Sequence, residues 1–167
     1  MTGPCFVDAN VLVYALDRSE AAKQQIAQAL LSKLWREQTG RTSVQALNEF
    51  YVVVTRKVSL AVHREEAWPV LEDLLGWNPQ PVDAMLLHRA RAVEIRYKLS
   101  WWDGLIVAAA QLQGCSILYS EDLQHGAVYD SVRVCNPFIA QVQEDAAPYR
   151  AKVASGHRPR GRPRKAA

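Results

Sequence analysis

The chain has 167 residues, about one domain's length, with 49% hydrophobic and 22% charged residues, so a soluble globule with a buried core is expected. The longest uncharged apolar stretch, Gly104 to Leu112, is too short to span a bilayer, and Asp8 inside the first apolar run argues against a secretory signal peptide. Three cysteines, Cys5, Cys115 and Cys135, are odd in number and form no C-x-x-C pair, which speaks against a disulfide scaffold or a structural zinc site and for a reducing cytoplasm.

The net charge of +3 conceals an asymmetry. Residues 150–167 carry seven basic residues and no acidic one, whereas 1–149 carry 13 basic against 17 acidic residues. A mildly acidic body with a basic tail suggests a polyanionic partner, although a solvated, disordered end reads equally from such a composition.

Cys5-Phe6-Val7 reads as a short strand that ends at Asp8. Asn10 is placed to cap a helix starting at Val11. Ser19 begins a second helix, with Ala22, Ile26, Leu30, Leu31 and Leu34 at helical spacing and Gly40 as its stop. Thr42-Ser43-Val44 is extended and leads into a third helix over 45–57. A fourth helix covers 64–75 with Pro69 inside it, and Asn78-Pro79-Gln80-Pro81 forms a turn cluster. Helices follow over 83–97 and 101–113, with Gly114 as a stop. Ser116 to Tyr119 and Val132 to Val134 read as buried strands. Few short strands separated by helices predict an α/β domain over 1–144, a small parallel sheet with helices on both faces, followed by a basic, disordered tail over 145–167.

In such sheets ligands bind beyond the carboxyl ends of the strands. Asp8 follows the first strand and Asp122 lies three residues beyond Tyr119, while Glu49 and Asp103 sit near helix starts. A carboxylate at a helix start is ordinary because the dipole favours it. The apolar neighbours of Asp103 and Glu49 nonetheless predict burial, and lone buried carboxylates are costly. Four that converge need cations; hard Mg²⁺ or Mn²⁺ would suit oxygen ligands, and phosphodiester hydrolysis would suit the site. Asn10 and Ser43 are placed to orient water or metal.

The segment Phe6 to Tyr14, with Asp8 and Asn10, resembles the opening motif of the PIN-domain nucleases. Thr42 to Tyr51 resembles their second motif, with Ser43 and Glu49. Leu99 to Asp103, followed by an Ala-rich helix, resembles the third. Leu118 to Gly126 is similar to the fourth, in the form seen in VapC-type toxins of toxin–antitoxin pairs. The four occur in order over about residues 4–140. The resemblance implies a PIN-like three-layer α/β fold and an Mg²⁺- or Mn²⁺-dependent endoribonuclease, inhibited by a cognate antitoxin and homodimeric. It implies Asp8, Glu49, Asp103 and Asp122 as the catalytic acids, with Asp8 and Asp103 on the metal and Asn10, Ser43 and Ser120 in support. Glu121 competes with Asp122, which the pattern favours by standing two residues after Ser120.

A phosphatase of the haloacid-dehalogenase type also opens with a strand and an Asp, but wants a second carboxylate where Asn10 stands. There is no G-x-S-x-G elbow, and no histidine pairs with a nucleophile. His125 beside the fourth motif reads as a loop histidine or a phosphate contact. Arg56, seven residues after Glu49, is placed to bind a phosphate or to close its helix as a solvated cation. The five tryptophans at helical spacing are expected to pack in the core or at an interface. Pro159-Arg160-Gly161-Arg162-Pro163-Arg164-Lys165 resembles an AT-hook, in which Arg160, Arg162 and Arg164 would reach along a narrow minor groove of DNA; a general polycation is the plainer reading. The rival to an RNA-cleaving enzyme is a non-catalytic nucleic-acid-binding module with a degenerate PIN core and a DNA-binding tail.

Overall fold

In the computed structural model Cys5, Phe6 and Val7 form β1 (Cys5–Val7), buried along its whole length, with a parallel strand on each side of it. The structure describes residues 3–57 and 62–139. Residues 1–137 make one compact unit; the basic tail, and with it the expected boundary at 144, lies outside the described residues.

The chain runs on through α1 (Ala9–Tyr14), α2 (Ala21–Glu37), β2 (Gly40–Arg41), α3 (Val44–Arg56), α4 (Arg64–Leu75), α5 (Ala84–Tyr97), α6 (Trp101–Leu112), β3 (Ile117–Tyr119), β4 (Val128–Tyr129) and β5 (Val132–Cys135). The five strands lie in the order β2-β1-β3-β5-β4. All pairings are parallel except β4 with β5, so the expected parallel sheet carries one antiparallel edge. Among the described residues six helices flank it, in a three-layer α/β fold.

Phe6 and Leu118 belong to the core shared with α5 and α6. Residues 104–110 of α6 are all buried, as its nearly all-round apolar sequence requires. Gly104 lets α5 approach, since a Cβ there would stand 3.3 Å from the Ala90 carbonyl oxygen. Cys5 and Tyr119 alternate to the other face, where both feel the charge of Glu37 on α2.

Several local expectations are corrected. Asp8, not Asn10, caps α1: its side chain accepts the Ala9 N–H, and the helix starts two residues earlier than expected. α2 ends before Gly40, at Gln38 in the left-handed region (φ 57°). Gly40 instead enters β2, and its missing Cβ makes room for the Trp77 ring, whose nearest carbon would otherwise stand 2.4 Å away. Ser43, Asp83 and Ser100 cap α3, α5 and α6, each accepting a backbone N–H, and Pro69 lies inside α4 without ending it. Of the tryptophans only Trp77 is buried; Trp35, Trp68 and Trp102 are exposed, so core packing fails for these three. Trp35 nonetheless lies against the buried Trp77 ring at 5.1 Å, and Trp68 meets Tyr51 edge-on at 6.2 Å.

Candidate active site

The parallel register builds the site directly. Val7 pairs with Tyr119, so the next residue on each strand, Asp8 and Ser120, fall side by side. The ladder continues past the strand ends: Asp8 N–H donates to the Tyr119 carbonyl (3.0 Å), and Ser120 N–H to that of Cys135 (3.1 Å). Thr42 ties the β2 side to the same end by donating its hydroxyl to the Val7 carbonyl at 3.0 Å.

Asp8 is 6% exposed. Its Oδ1 accepts from Ala9 N–H at 2.7 Å; its Oδ2 accepts from Ser120 Oγ at 2.8 Å and from Asn10 Nδ2 at 3.2 Å. The Asn10 amide also donates to Ser120 Oγ (3.2 Å) and Asp122 Oδ2 (3.1 Å). Four of the expected residues, Asp8, Asn10, Ser120 and Asp122, thus form one hydrogen-bonded group. Burial pushes the Asp8 carboxyl up to about 6; Ser120 and Ala9 pull it down, and the charges of Glu49 and Asp122 push it further up.

Glu49 is exposed, contrary to the expected burial, because Ala46, Leu47, Phe50 and Val54 take the core side of α3. It faces an open cleft of about 330 Å³, lined also by Asn10, Tyr14, Asp17, Val53, Lys57, Glu121 and Asp122. Gln45 Nε2 donates to Glu49 Oε1 at 2.9 Å. Glu49 and Val53 share one face of α3, and Lys57, the extended residue that caps its C-terminus four positions further on, reaches the cleft where Arg56 does not. That spacing was available in the sequence, and Lys57 was overlooked there.

Asp103 stands apart from this group. It is half-buried in the first turn of α6, its N–H donates to Ser100 Oγ at 3.1 Å, and among the described residues no hydrogen bond joins it to Asp8, Glu49 or Asp122. Its charge is felt at Tyr129, whose phenol is raised first by burial and then by Asp103. Ser43 is buried and accepts the Ala46 N–H at 3.1 Å as the α3 cap. Among the described residues no three His, Cys, Asp or Glu side chains stand close enough together to hold a metal ion.

Glu121 is engaged elsewhere. Tyr14 Oη donates to its Oε1 at 2.6 Å, and Lys23 Nζ lies 2.9 Å from its Oε2 and 3.0 Å from Tyr14 Oη. Tyr14 and Lys23 were not expected from the sequence; their partner lies about a hundred positions away. His125 Nδ1 accepts the Asn136 N–H at 3.0 Å, and Arg160, Arg162 and Arg164 lie outside the described residues.

A model of the PIN domain family matches residues 5–130. The chain belongs to the PIN-domain family. Membership supports a nuclease. Among solved structures, the PIN-family chain resembles VapC20 of Mycobacterium tuberculosis, a sarcin–ricin loop-cleaving toxin, with a TM-score of 0.52 and 19% identity over 70% of this chain and 88% of that one. At that identity the likeness speaks for the fold. No curated protein sequence matches the chain. Among the described residues no helix is long and apolar enough to cross a membrane.

Proposed function

We propose that this PIN domain is a divalent-metal-dependent endoribonuclease, a VapC-type toxin acting in the cytoplasm and restrained by a cognate antitoxin. The observation that carries the proposal is the buried Asp8 carboxylate at the strand ends, joined through Asn10 to Ser120 and Asp122 and flanked by the Glu49 charge. Burying a carboxylate among like charges is costly, and a cation offsets that cost.

The donor set fits Mg²⁺ or Mn²⁺. Every candidate ligand is a hard oxygen, and Mg²⁺ is commonly held by one or two carboxylates with the rest of its shell water, so a gathered cluster of three is not required. Asp8 would hold it, with Asp122 beside it as a peripheral ligand that water can replace, Glu49 across the cleft and Asp103 the further metal ligand that the motif match implies. Bound there, the ion would supply a water of lowered pKa and neutralise phosphate charge. The chain's own part is orientation. Ser120 and Asn10 fix Asp8 Oδ2, Asp122 is turned to the same amide, and Lys57 at the α3 C-cap binds the substrate backbone as a cation in an otherwise acidic cleft.

The antitoxin is proposed to lay a segment into this cleft and present an Arg to the carboxylates, a strong charge-assisted pairing. Homodimerisation belongs to the same reading, as does contact of the tail with DNA.

The test is cleavage of defined RNAs by the full chain in Mg²⁺, Mn²⁺ and EDTA. Cleavage with either metal, silenced by EDTA and absent in Asp8→Asn, is the expected result. Metal-independent cleavage, or full activity in metal-free Asp8→Asn, would overturn it. RNA binding without cleavage would favour the non-catalytic module.

A further inference from the structure

The Asn10 amide has two chemically different ends, and the structure specifies which faces the acids. The Glu121 N–H points at Asn10 Oδ1 from 3.2 Å, and a backbone N–H requires an acceptor. Rotating the amide by half a turn would set its NH₂ against that N–H and its oxygen against Asp8 Oδ2 and Asp122 Oδ2. The backbone of Glu121 therefore decides that Asn10 donates to the carboxylates.

What holds that backbone is the Glu121 side chain. Its two oxygens are taken separately: Oε1 by the Tyr14 hydroxyl at 2.6 Å, Oε2 by the Lys23 ammonium at 2.9 Å. The ammonium also lies 4.4 Å from the centre of the Tyr14 ring and 3.0 Å from its hydroxyl. The ion pair is partly shielded, with side-chain exposures of 33% and 23%. Three elements meet here: Tyr14 ends α1, Lys23 lies in the first turn of α2, and Glu121 follows β3.

We propose that Lys23 is a positioning residue which, with Tyr14, clamps Glu121 so that its N–H locks the Asn10 amide with the NH₂ toward Asp8, Ser120 and Asp122. Two consequences follow. Glu121 is committed to the clamp and does not replace Asp122 beside the cation. Lys23, which is not among the residues lining the cleft, acts on the acids through two intermediaries and does not touch the substrate. The part of this concerning the cation rests on the nuclease reading above.

The test compares the full chain with Lys23→Met, Tyr14→Phe and Lys23→Arg, each also in an Asn10→Ala background. Second-layer partners of metal ligands are worth about 10- to 100-fold in metal affinity or activity, so Lys23→Met should raise the Mn²⁺ concentration for half-maximal cleavage about tenfold and lower kcat similarly, with KM for RNA unchanged. Tyr14→Phe should do the same more weakly, and Lys23→Arg should restore most of the loss. In Asn10→Ala the Lys23→Met change should add nothing, because the clamp acts through that amide. A full additional loss in that background overturns the proposal. A readout independent of metal and RNA is the Asn10 side-chain amide pair in ¹H–¹⁵N spectra, which should shift in Lys23→Met. Unchanged amide signals overturn the clamp whatever the kinetics show. A wild type that never cleaves RNA, with amide signals that do move, would overturn the nuclease reading and leave the clamp standing.

Discussion

The Ser120 hydroxyl donates to Asp8 Oδ2 at 2.8 Å across the ends of two neighbouring parallel strands, and both residues are buried. Ser120→Ala would leave that oxygen with Asn10 as its remaining side-chain donor. Hydrogen bonds to a charged group are worth about 1.5–3 kcal/mol, so urea unfolding of the metal-free protein at neutral pH should show a loss of about that size. The loss should shrink as the pH falls below about 6 and Asp8 takes up a proton. A loss independent of pH would contradict the assignment to Asp8.

The Asp8 carboxyl, raised from 3.8 to about 6 chiefly by burial, binds its proton more tightly in the folded chain. Its contribution is therefore fully present below pH 4 and is lost as the pH rises through 6, by at most about 3 kcal/mol. In EDTA, Asp8→Asn should consequently be more stable than wild type at pH 7.5, with the gain fading toward pH 4. Thermal unfolding across that range decides it. A variant less stable than wild type at pH 7.5 would contradict the shift.

Glu49→Gln and Asp103→Asn should each remove most RNA cleavage with little effect on folding, since Glu49 is exposed and Asp103 half-buried. Asp122→Asn should be milder, as water can substitute for a peripheral ligand. The Asp103 result is the most informative, because among the described residues no hydrogen bond ties it to the other acids. Wild-type activity in Asp103→Asn would restrict the working set to Asp8, Glu49 and Asp122.

Gly40→Ala tests the fold away from the site. A Cβ there would stand 2.4 Å from two ring carbons of the buried Trp77, so either the indole or β2 must move. Overpacking of this kind costs about 1–3 kcal/mol, readable as a lower unfolding midpoint with RNA cleavage retained below it.

Deleting 155–167 removes Arg158, Arg160, Arg162, Arg164 and Lys165 with no acid. Full engagement of five cations with duplex DNA gives a log–log salt slope of about −4 to −5, most of which should vanish on truncation while cleavage of a short RNA survives. An unchanged slope would mean that the tail binds no nucleic acid; equal affinity for A·T- and G·C-rich duplexes would make it an unspecific polycation.

The main fold was legible because its signals are local. Cys5-Phe6-Val7 stops at an acid, and α6 carries an unbroken apolar run. β2 and β4 were not legible, since two residues carry no periodicity. Asp8 and Asn10 could be singled out as residues, but their division of labour depends on Ser120 and Glu121, more than a hundred positions on. Glu49 misled because apolar neighbours in sequence cover several faces of a helix, and only the register of α3 against the sheet says which face is left out.

The short edge strands have a consequence for the molecule's behaviour in a crowded cell. At one side β4 contributes two residues and turns back antiparallel on β5; at the other β2 contributes two, and beyond it Gln80 N–H and carbonyl engage Thr42 and Val44. A free strand margin recruits other chains into intermolecular sheets, and the remedy is to keep margins brief and cover them. Among the described residues neither margin leaves a long row of open backbone groups. The described part of the chain therefore offers another chain little backbone on which to extend the sheet.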